Sequence, residues 1–327
     1  MLLAGDDTYG KCWNLLNNIG QTKAATNYSG ISTKNESKIS ATSQYHGKLN
    51  PAGRYQIKNV AHFNFIITHP EACQRFHKLK LLVLVMSKSE NSLWRNIIRK
   101  SWGSYKNQIV LMFILGQAPT MQKQLEIKLE NSEFQDIIQT DYFDTWENLK
   151  LKSFALIKWA HDHCNNTNFV MKIDEDTFAS LDTIVEYLDA TEHRSNTIFG
   201  YKWHLKPVIR DPTWIKYYLS YDEYDVYEYM DHMDGSAYVL TYDILDDILY
   251  LGLTYPITRV GDSVLITGFL AEALGVHLEH NEGFSPNFIP PEHVCILRNK
   301  FTIHGGDYGY MGTLHTLLPS WRKWNCT

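Results

Sequence analysis

The sequence lacks any apolar run that approaches the roughly 18 residues of a membrane-spanning helix; the longest run, residues 79–86, is of strand length. None of the five cysteines lies in a C-x-x-C pair, so zinc ribbons and thioredoxin-like redox sites are poor interpretations. There is no excess of positive charge either. The formal net charge is −5, which indicates no general affinity for nucleic acid. The 327 residues are long enough for one large domain or two small ones.

The first 55 residues are rich in Asn, Ser, Thr, Gly and Lys and show no sustained hydrophobic periodicity. Such a composition buries little apolar surface. We interpret residues 1–55 as a flexible, stem-like or irregular segment. Residues 56–327 are then expected to form the folded domain.

From about Val60 the chain alternates between apolar segments of strand length and longer helical patterns. This alternation predicts an α/β fold in which helices flank a mostly parallel central sheet. Ligands of such sheets bind beyond the carboxyl ends of the strands. The predicted strands are 79–86, 109–115, 136–139, 169–173 and 236–241, and the predicted helices are 93–102, 121–131, 146–163, 181–188 and 265–274.

One predicted strand ends abruptly in three acidic residues, Asp174-Glu175-Asp176. Residues i and i+2 of an extended chain point the same way, which aims Asp174 and Asp176 together beyond the strand end. Two hard carboxylate oxygens at that point suit a divalent ion such as Mg²⁺ or Mn²⁺, shared with substrate phosphates. An isolated D-x-D is more often a solvated acidic turn, so this interpretation depends on the rest of the sequence.

Several blocks over about residues 60–310 resemble, in order, those of the β1,3-glycosyltransferases of glycosyltransferase family 31. This family includes β1,3-galactosyltransferases and β1,3-N-acetylglucosaminyltransferases. Residues 172–178 resemble K-x-D-[DE]-D-x-F, and residues 95–103 resemble R-x-x-I-R-x-[ST]-W-G. Further blocks with the same order are residues 66–73, 113–116, 136–164, 216–220 and 235–240.

The resemblance implies a single GT-A-like domain with a Rossmann-like nucleotide-binding half. The donor half would be about 78–200 and the acceptor half about 201–310. It also implies an inverting hexosyltransferase that moves galactose or an N-acetylhexosamine from a UDP-sugar to a glycan hydroxyl in β1,3 linkage. The acceptor would be a glycoprotein or a glycolipid.

The leaving diphosphate needs positive charge, which Mn²⁺ or Mg²⁺ supplies as a Lewis acid. By resemblance, Asp176 is the principal metal ligand and His304 the later one, while Asp174 supports the metal or holds the ribose. Ser87 leaves the first strand where the uridine is expected, and Glu175 lies between the two aspartates, so both are further donor-site candidates.

Two other groups each allow two interpretations. Arg95 and Arg99 lie on one face of a predicted helix and either neutralise phosphate or fix the helix against the first strand. Tyr217, Tyr218 and Tyr221 either form an acceptor wall, because aromatic rings stack on sugar C–H surfaces, or pack on the flank of the domain.

The chain departs from the family at the position of the catalytic base. An inverting transferase needs a group that takes the acceptor proton, and the family uses the second acid of an E-D-V or D-D-V segment. Here Asp262 aligns with the first acid and Ser263 with the second. Because serine has no useful basicity near neutral pH, either Asp262 is the base or the chain binds UDP-sugar or glycan without turnover. A phosphohydrolase using the same carboxylates would lack residues for a second metal.

The resemblance also implies a disulfide between Cys73 and Cys164, which match two family cysteines. Cys295 is then left free or pairs with Cys326 or Cys12. Family members are type II membrane proteins whose catalytic domain lies in the Golgi lumen. Because no segment here matches their N-terminal anchor, we expect the sequence to be a fragment or a secreted form.

Overall fold

The computed structural model describes residues 63–104, 108–254 and 259–321. The predicted stem-like segment 1–55 lies outside this range and stays a prediction. The strands are β1 (Phe65–Ile67), β2 (Leu81–Met86), β3 (Ile109–Gln117), β4 (Ile137–Phe143), β5 (Phe169–Asp174), β6 (Thr177–Ala179), β7 (Thr197–Trp203), β8 (His232–Thr241), β9 (His277–His280), β10 (Phe284–Ser285) and β11 (Thr302–His304).

The helices lie between these strands and after the last one. They are α1 (Ser92–Lys100), α2 (Met121–Phe134), α3 (Leu149–His163), α4 (Leu181–Ala190), α5 (Leu245–Thr254), α6 (Ala271–Leu274), α7 (Val294–Leu297) and α8 (Tyr308–Trp321). A π-helical segment, Val264–Leu270, leads into α6. Within the described residues, no helix has both the length and the apolar character needed to cross a membrane.

Eight strands form the central sheet in the order β1-β4-β3-β2-β5-β8-β7-β9. Neighbouring strands from β4 to β5 run parallel, as do β7 and β9. Strand β1 pairs antiparallel with β4, and β8 pairs antiparallel with both of its neighbours. The predicted α/β fold with a mostly parallel sheet is confirmed.

Strand β2 illustrates why the centre of the sheet forms. All six of its residues are apolar and buried, as a parallel strand covered on both faces requires. Leu82 and Leu84 pack with Trp159 of α3 in one core, whereas Leu81 and Val83 enter the second core, on the opposite face. The sheet therefore carries helices on both sides and leaves its strand ends for a site.

Most element boundaries differ from the predictions by one to four residues, and three of the differences concern α3, β8 and the helix predicted at 265–274. Helix α3 begins at Leu149 because a turn precedes it, in which the Leu149 N–H donates to the carbonyl O of Trp146 at 3.2 Å. Strand β8 begins at His232, earlier than predicted. The predicted helix 265–274 is π-helical as far as Leu270; after α6, Gly275 ends it with a φ of 66°, which favours glycine.

A second sheet, with the order β10-β11-β6, brings a distant part of the chain to the end of β5. Strand β6 follows Asp176 directly and pairs antiparallel with β11, so that Thr177 lies opposite His304. The N–H of Gly305 donates to the carbonyl O of Asp176 at 3.1 Å. Gly305 has a φ of 90°, a conformation that glycine adopts without strain.

The predicted Cys73–Cys164 disulfide is present, with a Cα–Cα distance of 5.3 Å. Both cysteines are fully buried, and Cys164 follows the last residue of α3. Cys295 is also disulfide-bonded. The partners that the sequence offered for it, Cys12 and Cys326, lie outside the described residues.

Candidate active site

Asp174 is the last residue of β5, and a buried lysine of the same strand holds its carboxylate. Lys172 Nζ lies 2.6 Å from Asp174 Oδ1 and also donates to the carbonyl O of Gly235 in β8. Burial raises the pKa of Asp174 to about 6; Lys172 opposes this shift and the neighbouring Asp176 adds to it. Because burial is the main cause of this shift, a cation bound beside Asp174 would favour its ionised form.

Asp176 and His304 face each other across the β6–β11 pair. His304 Nε2 lies 3.5 Å from Asp176 Oδ1, and His304 Nδ1 donates to the carbonyl O of Pro286 at 3.2 Å. The Nδ1 contact fixes the ring so that Nε2 points at the carboxylate. The hydrogen bond to Asp176 raises the pKa of His304 to about 9, against the effect of burial. The pKa of Asp176 is lowered. Burial alone would raise it, but the contact with His304 lowers it.

These side chains fit a divalent ion. Asp174 and Asp176 offer carboxylate oxygens, and His304 offers an imidazole nitrogen once it has lost its proton. Carboxylate and imidazole together suit Mn²⁺, and Mg²⁺ accepts the imidazole less readily. The structure thus brings Asp176 and His304 within 3.5 Å of each other, with Asp174 close enough to raise the pKa of His304. The role of the three residues as metal ligands stays a prediction.

A cleft of about 500 Å³ opens beside the carboxylates, and its walls include Lys88, Asn91, Trp94 and Glu175. Asn91 Nδ2 donates to Glu175 Oε1, whereas Glu175 Oε2 is buried without a well-formed hydrogen bond. Burial raises the pKa of Glu175, and contacts from Ser87 and Asn91 oppose the shift. Glu175 Oε2 can therefore accept a hydrogen bond from a ligand hydroxyl or N–H group.

The sequence candidates did not include Asn91, Trp94 or Trp146. Asn91 precedes α1 and Trp94 lies in its first turn, where its ring centroid is 4.3 Å from that of Tyr308. For Asn91 and Trp94 the available signal was their position beyond the carboxyl end of β2, the same rule that pointed to Ser87; Trp146 follows β4 in the same way.

Arg95 and Arg99 are bound to carboxylates and are not open to a ligand. Arg95 is fully buried, and its Nε and Nη2 atoms lie 2.8 and 2.6 Å from the two carboxylate oxygens of Glu130. Arg99 makes the same two-pronged contact with Asp136, with both distances 2.8 Å. The phosphate-ligand interpretation is corrected: these arginines fix α1 against its neighbours. Ser87 is buried directly after β2, and its Oγ accepts from Arg95 Nη1 at 3.0 Å; its role in the donor site stays a prediction.

Asp262 and Ser263 precede the π-helical segment and lie near the donor carboxylates. Asp262 is buried, and Ser153 Oγ donates to its Oδ2 at 2.6 Å. It is close enough to Asp174 to raise the pKa of that carboxyl. Ser263 faces Gly235 of β8: a Cβ atom on Gly235 would lie 3.1 Å from Ser263 Oγ. The acid of this segment is therefore held in the protein interior.

The three acceptor candidates lie in the segment between β7 and β8. Tyr217 and Tyr221 are 43% and 57% exposed, and Tyr218 is half-buried. Trp146 meets Tyr217 edge to face, with ring centroids 5.4 Å apart, and Arg210 stacks 4.1 Å from the centre of Tyr221. Within the described residues, none of the three tyrosines lines the donor cleft. Their role as an acceptor wall stays a prediction.

Comparison with known proteins extends these observations. Residues 94–282 match the family model described as Galactosyltransferase. The lactosylceramide 1,3-N-acetyl-beta-D-glucosaminyltransferase of Xenopus tropicalis is 31% identical over 255 residues, covering 74% of this chain and 67% of that protein. The Homo sapiens protein of the same name is 32% identical over 255 residues, with the same coverage.

Among solved structures, the bifunctional glycosyltransferase WbbM in its apo form is similar with a TM-score of 0.42 and 10% identity, covering 76% of this chain and 52% of that chain. The galactosyltransferase LgtC, in complex with donor and acceptor sugar analogues, has a TM-score of 0.39 and 11% identity, covering 74% of this chain and 99% of that chain. These likenesses concern the fold alone.

The site and the sequence matches define the class of this protein: it is a glycosyltransferase, a UDP-sugar-dependent hexosyltransferase of the type that forms β1,3 linkages. The chain belongs to the galactosyltransferase family.

Proposed function

We propose that this chain transfers galactose or an N-acetylhexosamine from a UDP-sugar to a glycan hydroxyl, with inversion, at a divalent ion held by Asp174, Asp176 and His304. The observation that carries the proposal is the 3.5 Å approach of Asp176 Oδ1 and His304 Nε2 beyond the carboxyl end of β5. Ligands of parallel sheets bind at this end. The names of the relatives make N-acetylglucosamine and lactosylceramide the first donor sugar and acceptor to test.

On the donor side, the residues of the cleft would hold the UDP. When bound, Mn²⁺ or Mg²⁺ supplies Lewis-acid charge to the leaving diphosphate. Lys172 Nζ contacts Asp174 Oδ1 and favours the ionised carboxylate, which would help to hold the ion. Glu175 and Asn91 offer an acceptor and a donor to the nucleoside, and Lys88 adds positive charge for a phosphate.

On the acceptor side, the attacking hydroxyl must lose its proton as the bond between the anomeric carbon and the diphosphate oxygen breaks. We assign that proton to Asp262, which has to turn from Ser153 toward the acceptor. Trp146 and the exposed rings of Tyr217 and Tyr221 would stack on the acceptor sugar.

Ser263 and the burial of Asp262 favour a second candidate function, in which the chain binds UDP-sugar without turnover. In this case the donor residues act as described, but no basic group reaches the acceptor. The two candidates predict the same UDP binding and differ only in whether a glycan product forms.

We also propose a Golgi-lumen location, with residues 56–327 as the catalytic domain. The Cys73–Cys164 disulfide supports this location, because such bonds persist in the oxidising secretory pathway and are rare in the cytosol. Immunofluorescence of the endogenous protein tests it; a cytosolic signal would contradict it.

The experiment for the main proposal is a transfer assay read by mass spectrometry. The purified chain is incubated with Mn²⁺, lactosylceramide or other glycan acceptors, and UDP-galactose, UDP-N-acetylglucosamine or UDP-N-acetylgalactosamine. We expect a product from one donor, and its loss with EDTA and in Asp176→Asn. The matched control is Asp246→Asn, since Asp246 is 81% exposed on α5. UDP binding without a product supports the second candidate. If neither UDP binding nor a product is found, both candidate functions are contradicted.

A further inference from the structure

A second group of metal-binding side chains lies at the edge strand β9, which two strands separate from β5. The group consists of His193, in the segment between α4 and β7, and of His277 and Glu279 in β9. One ligand atom from each residue lies within 4.8 Å of the other two. None of the roles described above uses these residues.

Backbone contacts bring the three side chains together. His277 and Glu279 are two apart on a strand and therefore share a face. The N–H of His277 donates to the carbonyl O of Asn196 at 2.9 Å, and Asn196 Nδ2 donates to the carbonyl O of Gly275 at 3.0 Å. These bonds tie the end of the segment that carries His193 to the start of β9. The backbone therefore holds the three side chains close to one another.

The ligand atoms of the group are directed at one another. His277 Nε2 lies 2.8 Å from Glu279 Oε2, and His193 Nε2 lies 3.9 Å from the same oxygen. The ring centroids of the two histidines are 4.9 Å apart. The adjacent Arg194 donates to the carbonyl O of Asp189.

We propose that His193, His277 and Glu279 bind a Zn²⁺ ion that fastens the segment between α4 and β7 to β9. Two imidazoles and one carboxylate are a common three-ligand set for Zn²⁺, which binds them at about 2.0–2.2 Å and takes water in the fourth position. Imidazole-rich sets hold Zn²⁺ more tightly than Mn²⁺, so the site differs in chemistry from the carboxylate-rich donor site.

Equilibrium dialysis against Zn²⁺, with the metal content read by mass spectrometry, tests the proposal. The full chain carries Asp176→Asn, so that the donor site contributes little, and is first freed of metal with a chelator. We expect one Zn²⁺ per chain and a higher thermal midpoint with Zn²⁺. His193→Gln and His277→Gln should each weaken Zn²⁺ binding by at least about tenfold.

The matched control is His204→Gln, because His204 is an exposed histidine that also pairs with a carboxylate, 2.7 Å from Asp231. We expect it to bind Zn²⁺ like the parent. All the altered side chains are exposed, and circular dichroism verifies that the variants fold. Equal Zn²⁺ affinity in the parent and in the His193 and His277 variants overturns the proposal. So does a parent that retains no Zn²⁺, or one that Mn²⁺ stabilises as much as Zn²⁺ does.

Discussion

His304 Nε2 lies 3.5 Å from Asp176 Oδ1, although the two residues come from opposite halves of the described chain. The pairing of β6 with β11 imposes this approach. Since Asp176 raises the pKa of His304 to about 9, a proton on the imidazole balances the carboxylate near neutral pH when no ion is bound. In the proposed function, a divalent ion bound by His304 would displace this proton.

The first prediction is a pH-dependent loss of stability in the metal-free protein. The folded pKa of His304, about 9, lies above the ordinary value of about 6.5, so the stabilisation is complete below about pH 6.5 and disappears as the pH rises through 9. Because His304 and Asp176 are 37% and 46% exposed, solvent screening limits the effect to about 1 kcal/mol. Urea unfolding in EDTA at several pH values measures it. His304→Gln should lose this part of the pH dependence, and an unchanged profile would refute the assignment.

The second prediction concerns the buried pair of Arg95 and Glu130. Arg95→Met should lower the free energy of unfolding by about 3 kcal/mol, because it leaves one oxygen of Glu130 buried without a partner. Urea denaturation provides the measurement. Removing both charges, with Glu130→Met added, should recover part of the loss. If Arg95→Met has normal stability but binds UDP at least tenfold more weakly, Arg95 contacts the phosphate and this assignment is wrong.

The third prediction is that the Cys73–Cys164 bond is a major stabilising link. Its sequence separation of 91 residues means that reduction gives the unfolded chain a large gain in entropy, worth about 4 kcal/mol. Thermal unfolding of the Cys73→Ala/Cys164→Ala variant should show a lower midpoint. Dithiothreitol, which also reduces the bond of Cys295, should lower the midpoint of the wild type more than that of the variant. An equal effect of the reductant on both proteins would locate the sensitive bond elsewhere.

The fourth prediction separates the two candidate functions. Ser263→Asp restores the acid that the family has at this position, and the absence of a side chain on Gly235 leaves space beside it. We expect transfer to increase about 100-fold if the wild type lacks a base, since that is the typical contribution of general base catalysis. Ser263→Asn, with the same size and no basicity, is the control and should give no gain.

Asp262→Asn completes this comparison in the same transfer assay. If Asp262 is the base in the wild type, its loss should lower turnover about 100-fold without changing UDP affinity. Full activity of Asp262→Asn would remove Asp262 from the mechanism.

Several features could be predicted from the sequence because their signals are local. The apolar run of β2 and the sudden change from Ile173 to Asp174 identify a buried strand and its end. Other features depend on tertiary packing. Glu130 reads as one charged residue among several on α2, and only the folded chain pairs it with Arg95. His304 ends a strand of three residues that has no strong pattern, so resemblance to a family predicted it where periodicity could not.

The most direct test of the account is calorimetric titration of UDP in the presence and absence of Mn²⁺, with wild type, Asp176→Asn and Asp246→Asn. Binding of UDP does not depend on the base and isolates the donor site. We expect Mn²⁺-dependent binding of equal affinity in wild type and Asp246→Asn, and at least about tenfold weaker binding in Asp176→Asn. Equal UDP affinity in Asp176→Asn, or undiminished wild-type binding in EDTA, would contradict it.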